Sequence, residues 1–125
     1  MIILDASALL AFLFQETGHQ KVAPELASGC MSSINFSEVL GGFARDGHDP
    51  VIVGRRLRET GLEVAPFDAE DALLAANLRP QTDPLGLSLG DRACLALALA
   101  RGVPVLTADP IWADLKLPVS IRLIR

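Results

Sequence analysis

Five short apolar runs, Met1–Leu4, Cys30–Ser32, Leu62–Phe67, Val103–Thr107 and Val119–Ile124, are separated by helix-forming sequence, and no Asn-Gly-type turn joins two of them directly. Strands that cannot return through a hairpin must be linked by crossovers, so the pattern predicts an α/β fold with a mostly parallel sheet. Met1–Leu4 has no polar member and reads as a strand buried on both faces, hence central. At 125 residues the chain is expected to be one domain, residues 1–125, burying about two-thirds of its unfolded surface. Hydrophobic residues make up 50% and aromatics only 5%, so the core has to be built from Leu, Ala, Val and Ile.

The helical stretches carry their own punctuation. Ala6–Phe14 is almost wholly apolar and ends before Gly18, and His19–Leu26 follows as a short second helix. A third helix is expected from Asn35 to Arg45, weakened in its middle by Gly41-Gly42. Asp49-Pro50 is a cap followed by proline at the first helical position, opening a helix to Thr60 with Gly61 as its stop. Asp68 caps an alanine- and leucine-rich helix that ends before Pro80, and Pro80–Leu87 reads as the longest loop. Ser88 and Asp91 have capping-box spacing and begin a helix to Arg101, stopped by Gly102. A short helical turn is expected from Ile111 to Leu115.

Charge and cysteine usage exclude several function classes. A formal charge of −4 and a pI near 5.0 argue against non-specific duplex binding, so any nucleic acid must be met locally. Cys30 and Cys94 are too few for a disulfide framework and lack neighbours at metal-ligand spacing, which points to a reducing cytoplasm and away from zinc. The first basic residue is Lys21, unlike the charge layout of a secretory signal. The longest apolar stretch, Ala93–Ala100, is far shorter than the ~20 residues of a membrane span, so no membrane crossing is expected.

Most acids have local explanations as caps, turn residues or solvated charges, but four stand beside apolar structure. Asp5 follows Met-Ile-Ile-Leu, Glu38 lies within Ile34–Leu40, Asp91 opens an apolar helix, and Asp109 follows Val105-Leu106-Thr107-Ala108. Asp5 and Asp109 lie just past strands, where parallel sheets bind ligands. Carboxylates gathered in such places raise one another's pKa unless a cation neutralises them, and hard oxygen donors suit Mg2+ or Mn2+. The competing structural explanation is capping: Glu38 stands three residues after Asn35, Asp91 three after Ser88, and Asp5 and Asp109 are placed to cap helical turns. Taken singly, capping is the better explanation of Glu38 and Asp91 and an equal one for Asp5 and Asp109; the joint pattern favours the metal.

The segments MIILDASALLA, SSINFSEVL, LSLGDRACLALA and VLTAD followed by Trp112 resemble, in this order and spacing, the PIN-domain family and its short VapC-type ribonuclease toxins. The likeness runs from Met1 to Trp112. It implies a three-layer α/β/α sandwich, with Asp5, Glu38, Asp91 and Asp109 gathered around Mg2+ or Mn2+ to hydrolyse RNA. It also implies a homodimer and a small antitoxin whose carboxyl-terminal segment lies in a groove beside the active site. Ser7, Asn35 and Thr107 match accompanying polar positions that hold ligands or waters. The chain departs from the family pattern at Gly90, often alanine, and at Pro110, usually charged, while Asp114 offers another acid beside Asp109.

Arg92 stands equally as a phosphate contact or a solvated helix-start residue, Ser7 has no evident base partner, and Cys94 reads as a small core residue. His19 and His48 read as surface histidines, and Arg45, Arg55, Arg56 and Arg58 as a solvated helix face or an RNA guide. A phospho-acceptor signalling domain would need a lysine at the last strand's edge and an acidic pair after the first strand; the chain has only Lys21, Lys116 and a single Asp5 there. A PIN-like module without catalysis is disfavoured by the complete set of four acids.

Overall fold

The computed structural model describes residues 1–125. Its strands are β1 (Ile2–Leu4), β2 (Gly29–Ser32), β3 (Glu63–Ala65), β4 (Val105–Thr107) and β5 (Ile121–Leu123). The helices are α1 (Ala6–Leu13), α2 (Ser33–Arg45), α3 (Pro50–Glu59), α4 (Ala69–Asn77), α5 (Arg79–Thr82) and α6 (Leu89–Arg101). The strands form one sheet in the order β3-β2-β1-β4-β5, every pair parallel. β1 is central, as its unbroken apolar run requires, with Ile3 in register with both Cys30 and Val105.

Alternation along β1 divides the core in two. Ile2 and Leu4 pack with Leu9 of α1, Val39 of α2 and Leu57 of α3. Ile3 points to the opposite face, where Ala75 of α4, Trp112 and the apolar run of α6 cover the sheet. The result is a three-layer α/β/α sandwich. At about 25 cal/mol per Å2 of apolar surface removed from water, these two clusters supply the main stabilising term. Gly90 and Arg92–Ala98 in α6 are all buried, so this helix belongs to the interior, and its alanines allow close approach to the sheet and to α4.

The chain leaves β1 toward β2 and β3, then returns to β1's other side for β4 and β5. The crevice at the carboxyl ends of β1 and β4 is therefore the topological switch point, where ligands of open α/β sheets bind. Asp5 directly follows β1, and Asp109 lies two residues beyond β4.

Three local expectations are corrected. His19–Leu26 is not one helix but two 3-10 segments, His19–Lys21 and Ala23–Ser28, split around Val22, with Pro24 close behind. Pro80–Leu87 is not an open loop: α5 and a 3-10 turn, Asp83–Leu85, occupy it, because each proline stands near the start of a helical turn, where its missing N–H costs nothing. The α2 cap is Ser32, whose hydroxyl accepts from Ile34 N at 3.2 Å, so Asn35 lies inside the helix and does not open it. Gly41-Gly42 does not interrupt α2, and open space surrounds both positions.

Candidate active site

Asp5 is the best-anchored of the four acids. It is 3% exposed and caps α1, its Oδ1 accepting from Ala8 N at 2.8 Å. The Ser7 hydroxyl donates to Oδ1 at 2.7 Å and the Thr107 hydroxyl to Oδ2 at 2.6 Å. A carboxylate has about four lone-pair directions, so three donors leave it room for one further partner. Burial pushes its pKa up from 3.8 to about 6; the bonds from Thr107, Ala8 and Ser7 oppose that rise, and the charge of Asp91 adds to it. Asp5 is thus held in place yet uncompensated, the state of a carboxylate arranged for a cation.

Ser7 and Thr107 act as struts between β1 and β4. Ser7 Oγ accepts from Ala108 N at 2.9 Å, and Thr107 Oγ1 accepts from Asp109 N at 3.1 Å. Ser7 therefore does have a basic partner, contrary to the sequence reading, but that partner is Asp5, buried and engaged by two other donors.

Asp91 and Glu38 approach from the neighbouring helices. The capping box at the start of α6 is formed: Asp91 N donates to Ser88 Oγ at 3.3 Å, and Asp91 Oδ2 accepts from Ser88 N at 2.8 Å. Capping uses one carboxylate oxygen and leaves Oδ1 without a hydrogen-bond partner, so the cap does not exhaust the carboxylate. Glu38 Oε1 accepts from Asn35 Nδ2 at 2.9 Å, while Oε2 is uncommitted. The wholly buried Cys94 thiol lies beneath this group: burial first, then the charges of Asp5, Asp91 and Glu38, drive its pKa well above the ordinary thiol range. The charges of three carboxylates are felt at one buried thiol.

Asp109 is placed differently. Its carboxylate caps the 3-10 turn Pro110–Asp114, Oδ1 accepting from Ile111 N at 3.0 Å, and it reaches the cluster through its backbone N–H to Thr107. No three carboxylate, imidazole or thiol groups stand at the mutual spacing of a closed metal cage. The donors nevertheless fit Mg2+ or Mn2+ chemically: each acid has an uncommitted carboxylate oxygen or, at Asp5, an open lone-pair direction, and Mg2+ usually binds through one or two carboxylates while keeping several waters. Asp5 makes no ion pair with a lysine, as a phospho-acceptor site would need; Lys21 and Lys116 are both exposed.

A family model for the PIN domain matches residues 2–117. The chain belongs to the PIN-domain family. No curated protein matches it. Among solved structures it is similar to the Rickettsia felis VapBC2 complex bound to a promoter DNA fragment, with TM-score 0.73, 18% identity, and 98% of each chain covered. It is also similar to Mycobacterium tuberculosis VapC20, described as a sarcin–ricin loop cleaving toxin, with TM-score 0.72, 19% identity, and 96% and 99% of the two chains covered. The FitAcB complex of Neisseria gonorrhoeae gives TM-score 0.70, 21% identity, and 99% and 98% coverage. At these identities the likeness establishes the PIN fold across the length of the chain.

In this PIN domain Arg92 does not reach toward the site. It is 8% exposed, donates to the Leu87 carbonyl at 3.1 Å and lies 3.6 Å from Asp83, locking the α5 segment onto α6. Neither the phosphate contact nor the solvated residue of the sequence reading describes it. Arg92→Ala is expected to lower stability by about 1–3 kcal/mol through the orphaned carbonyl and lost packing. Thermal denaturation checks this; unchanged melting with weakened RNA binding would restore the phosphate role. Arg45 pairs with Asp46 at 3.2 Å, whereas Arg55, Arg56 and Arg58 are exposed on α3 without acidic partners.

No helix is long and apolar enough to cross a membrane. The signal that sequence reading missed is the close packing of Glu38 on Gly90, a contact between residues far apart in the chain.

Proposed function

We propose that this PIN domain is a Mg2+- or Mn2+-dependent endoribonuclease, the toxin of a toxin–antitoxin pair, working with its antitoxin in a reducing cytoplasm. The observation that carries the reading is Asp5: a buried carboxylate at the switch point, secured by three donors, with its pKa raised and Asp91 and Glu38 close by. A purely structural acid would be neutralised by a basic partner, and Asp5 has none. The description of Mycobacterium tuberculosis VapC20 as an RNA-cleaving toxin supports the choice of substrate.

Asp5, Asp91 and Glu38 would hold the cation, with Asp109 in the outer part of the site. What a divalent cation supplies there is Lewis acidity toward the scissile phosphate and a lowered pKa for a coordinated water. The chain's own part is positional. Ser7 and Thr107 fix the Asp5 carboxylate between β1 and β4, the capping box fixes Asp91, and the acids exclude any anionic substrate whose charge a cation does not offset.

Purified protein is expected to cleave small structured RNAs with Mg2+ or Mn2+ and to lose all cleavage in excess EDTA. Undiminished cleavage in EDTA would overturn the metal mechanism.

A further inference from the structure

Asn35 is 2% exposed and stands one turn before Glu38 on α2. Its Nδ2 donates twice, to Glu38 Oε1 and to the Gly90 carbonyl in the first turn of α6, each at 2.9 Å. Both partners are acceptors, so the orientation of the amide is fixed. Its Oδ1 is left buried with no donor. A buried acceptor without a partner costs stability, and this cost offsets part of what the two donated bonds contribute.

Gly90 carries a second local cost on the same carboxylate. It is buried in the first turn of α6, where alanine would be the better helix former. A Cβ at this position would lie 2.7 Å from Glu38 Cδ and Oε2, and closer still to Oε1. The space a methyl group would take is occupied by the Glu38 carboxylate. Because that group ends a flexible side chain, a Cβ would displace the carboxylate and leave the helices where they are.

We infer that Asn35 and Gly90 are a paired positioning device that seats the Glu38 carboxylate against the first turn of α6, beside Asp91, and thereby sets the site's affinity for divalent cations. The inference rests on the metal-dependent reading above. Two residues that each carry a local cost, an unpaired amide oxygen at Asn35 and a helical glycine at Gly90, lie on different helices 55 positions apart and converge on one exposed carboxylate. Departures from local preference of this kind mark functional positions.

The test is calorimetric titration of the metal-free chain with Mn2+, alongside thermal denaturation. Gly90→Ala is expected to weaken Mn2+ binding about tenfold or more while melting no lower than the wild type, and Asn35→Leu to weaken it similarly. In a Glu38→Gln background both substitutions should be silent toward Mn2+, because the group they seat no longer carries charge. A merely structural pair would lower the melting temperature and act the same with or without Glu38. Unchanged affinity in Gly90→Ala, or losses that persist in Glu38→Gln, would overturn the inference; Gly90→Ala decides it even where Asn35→Leu disturbs folding. If Glu38→Gln weakens Mn2+ binding and the other two do not, only this inference falls. If Glu38→Gln leaves binding unchanged, Glu38 is no ligand and the inference falls with that assignment.

Discussion

Asp5→Asn is expected to cut RNA cleavage by more than about a hundredfold and, in metal-free protein, to raise stability. The two effects have one cause. The folded state holds the Asp5 proton up to about pH 6, against 3.8 for the free group. A raised carboxyl pKa means that the folded state binds protons more tightly than the unfolded chain. The Asp5 contribution to stability is therefore greatest below about pH 4, falls through the window between the two values, and at pH 8 is lower by about 3 kcal/mol. Asparagine carries no charge to desolvate. It keeps one acceptor for the Ala8 N–H, and its amide can donate to the Ser7 or Thr107 hydroxyl. Melting of Asp5→Asn at pH 8 should rise by about 5–10 °C, and the gain should vanish near pH 4. Excess Mg2+ should reverse the ranking, since a ligand that binds only the folded state stabilises the wild type and has lost a ligand in the variant. A variant that melts lower than the wild type at pH 8, or that cleaves normally, would remove Asp5 from this role.

The sheet was legible because its signals are local. β1 has no polar residue, Asp49-Pro50 and Ser88 announce their helices, and Gly61 and Gly102 close them. The acids were legible for a related reason: a carboxylate next to an apolar strand is rare enough to notice, and Asp5 meets the cap expectation while lying buried at the strand's end. Capping and the proposed metal binding competed on paper, but the cap at Asp91 engages only Oδ2 and leaves Oδ1 open. What stayed hidden depends on distant partners. Arg92 is an ordinary helix-start arginine in sequence, and only the folded α5 segment, with the Leu87 carbonyl and Asp83, turns it inward. Asn35 reads as the opening of its helix in sequence, and Ser32 takes the cap because β2 ends there. Gly90 reads as a loss of helix propensity until Glu38 is seen against it.

Phe14→Asp, alone or with Leu10→Asp, is expected to weaken association with the antitoxin proposed above by about a hundredfold or more. The α1 helix has more apolar residues than the sheet can cover. Ala8, Leu9 and Ala11 are in the core, Leu10, Phe12 and Leu13 are half-buried, and Phe14 is 59% exposed. Phe14 stacks on Phe43 of α2 with ring centroids 5.7 Å apart. Beside that pair lies a cleft of about 240 Å3 lined by Leu10, Phe14, Val39 and Phe43, with Glu38 and Arg45 also on its wall. An apolar side chain inserted there would cover the aromatic pair and stand next to Glu38, so one contact could both bind the toxin and hinder its acidic site. Aromatic anchors in such clefts dominate binding energy, and losing one typically costs 2 kcal/mol or more, about thirtyfold; adding a charge to the desolvated contact costs further. The fold should tolerate the change, because the exposed ring gives up about 0.5–1.5 kcal/mol of stacking and little burial. Mn2+ affinity should not move. Copurification with the cognate antitoxin and light scattering of the free chain read the outcome. Wild-type association in both variants, or a monodisperse monomer indifferent to them, would place the interface elsewhere on the molecule.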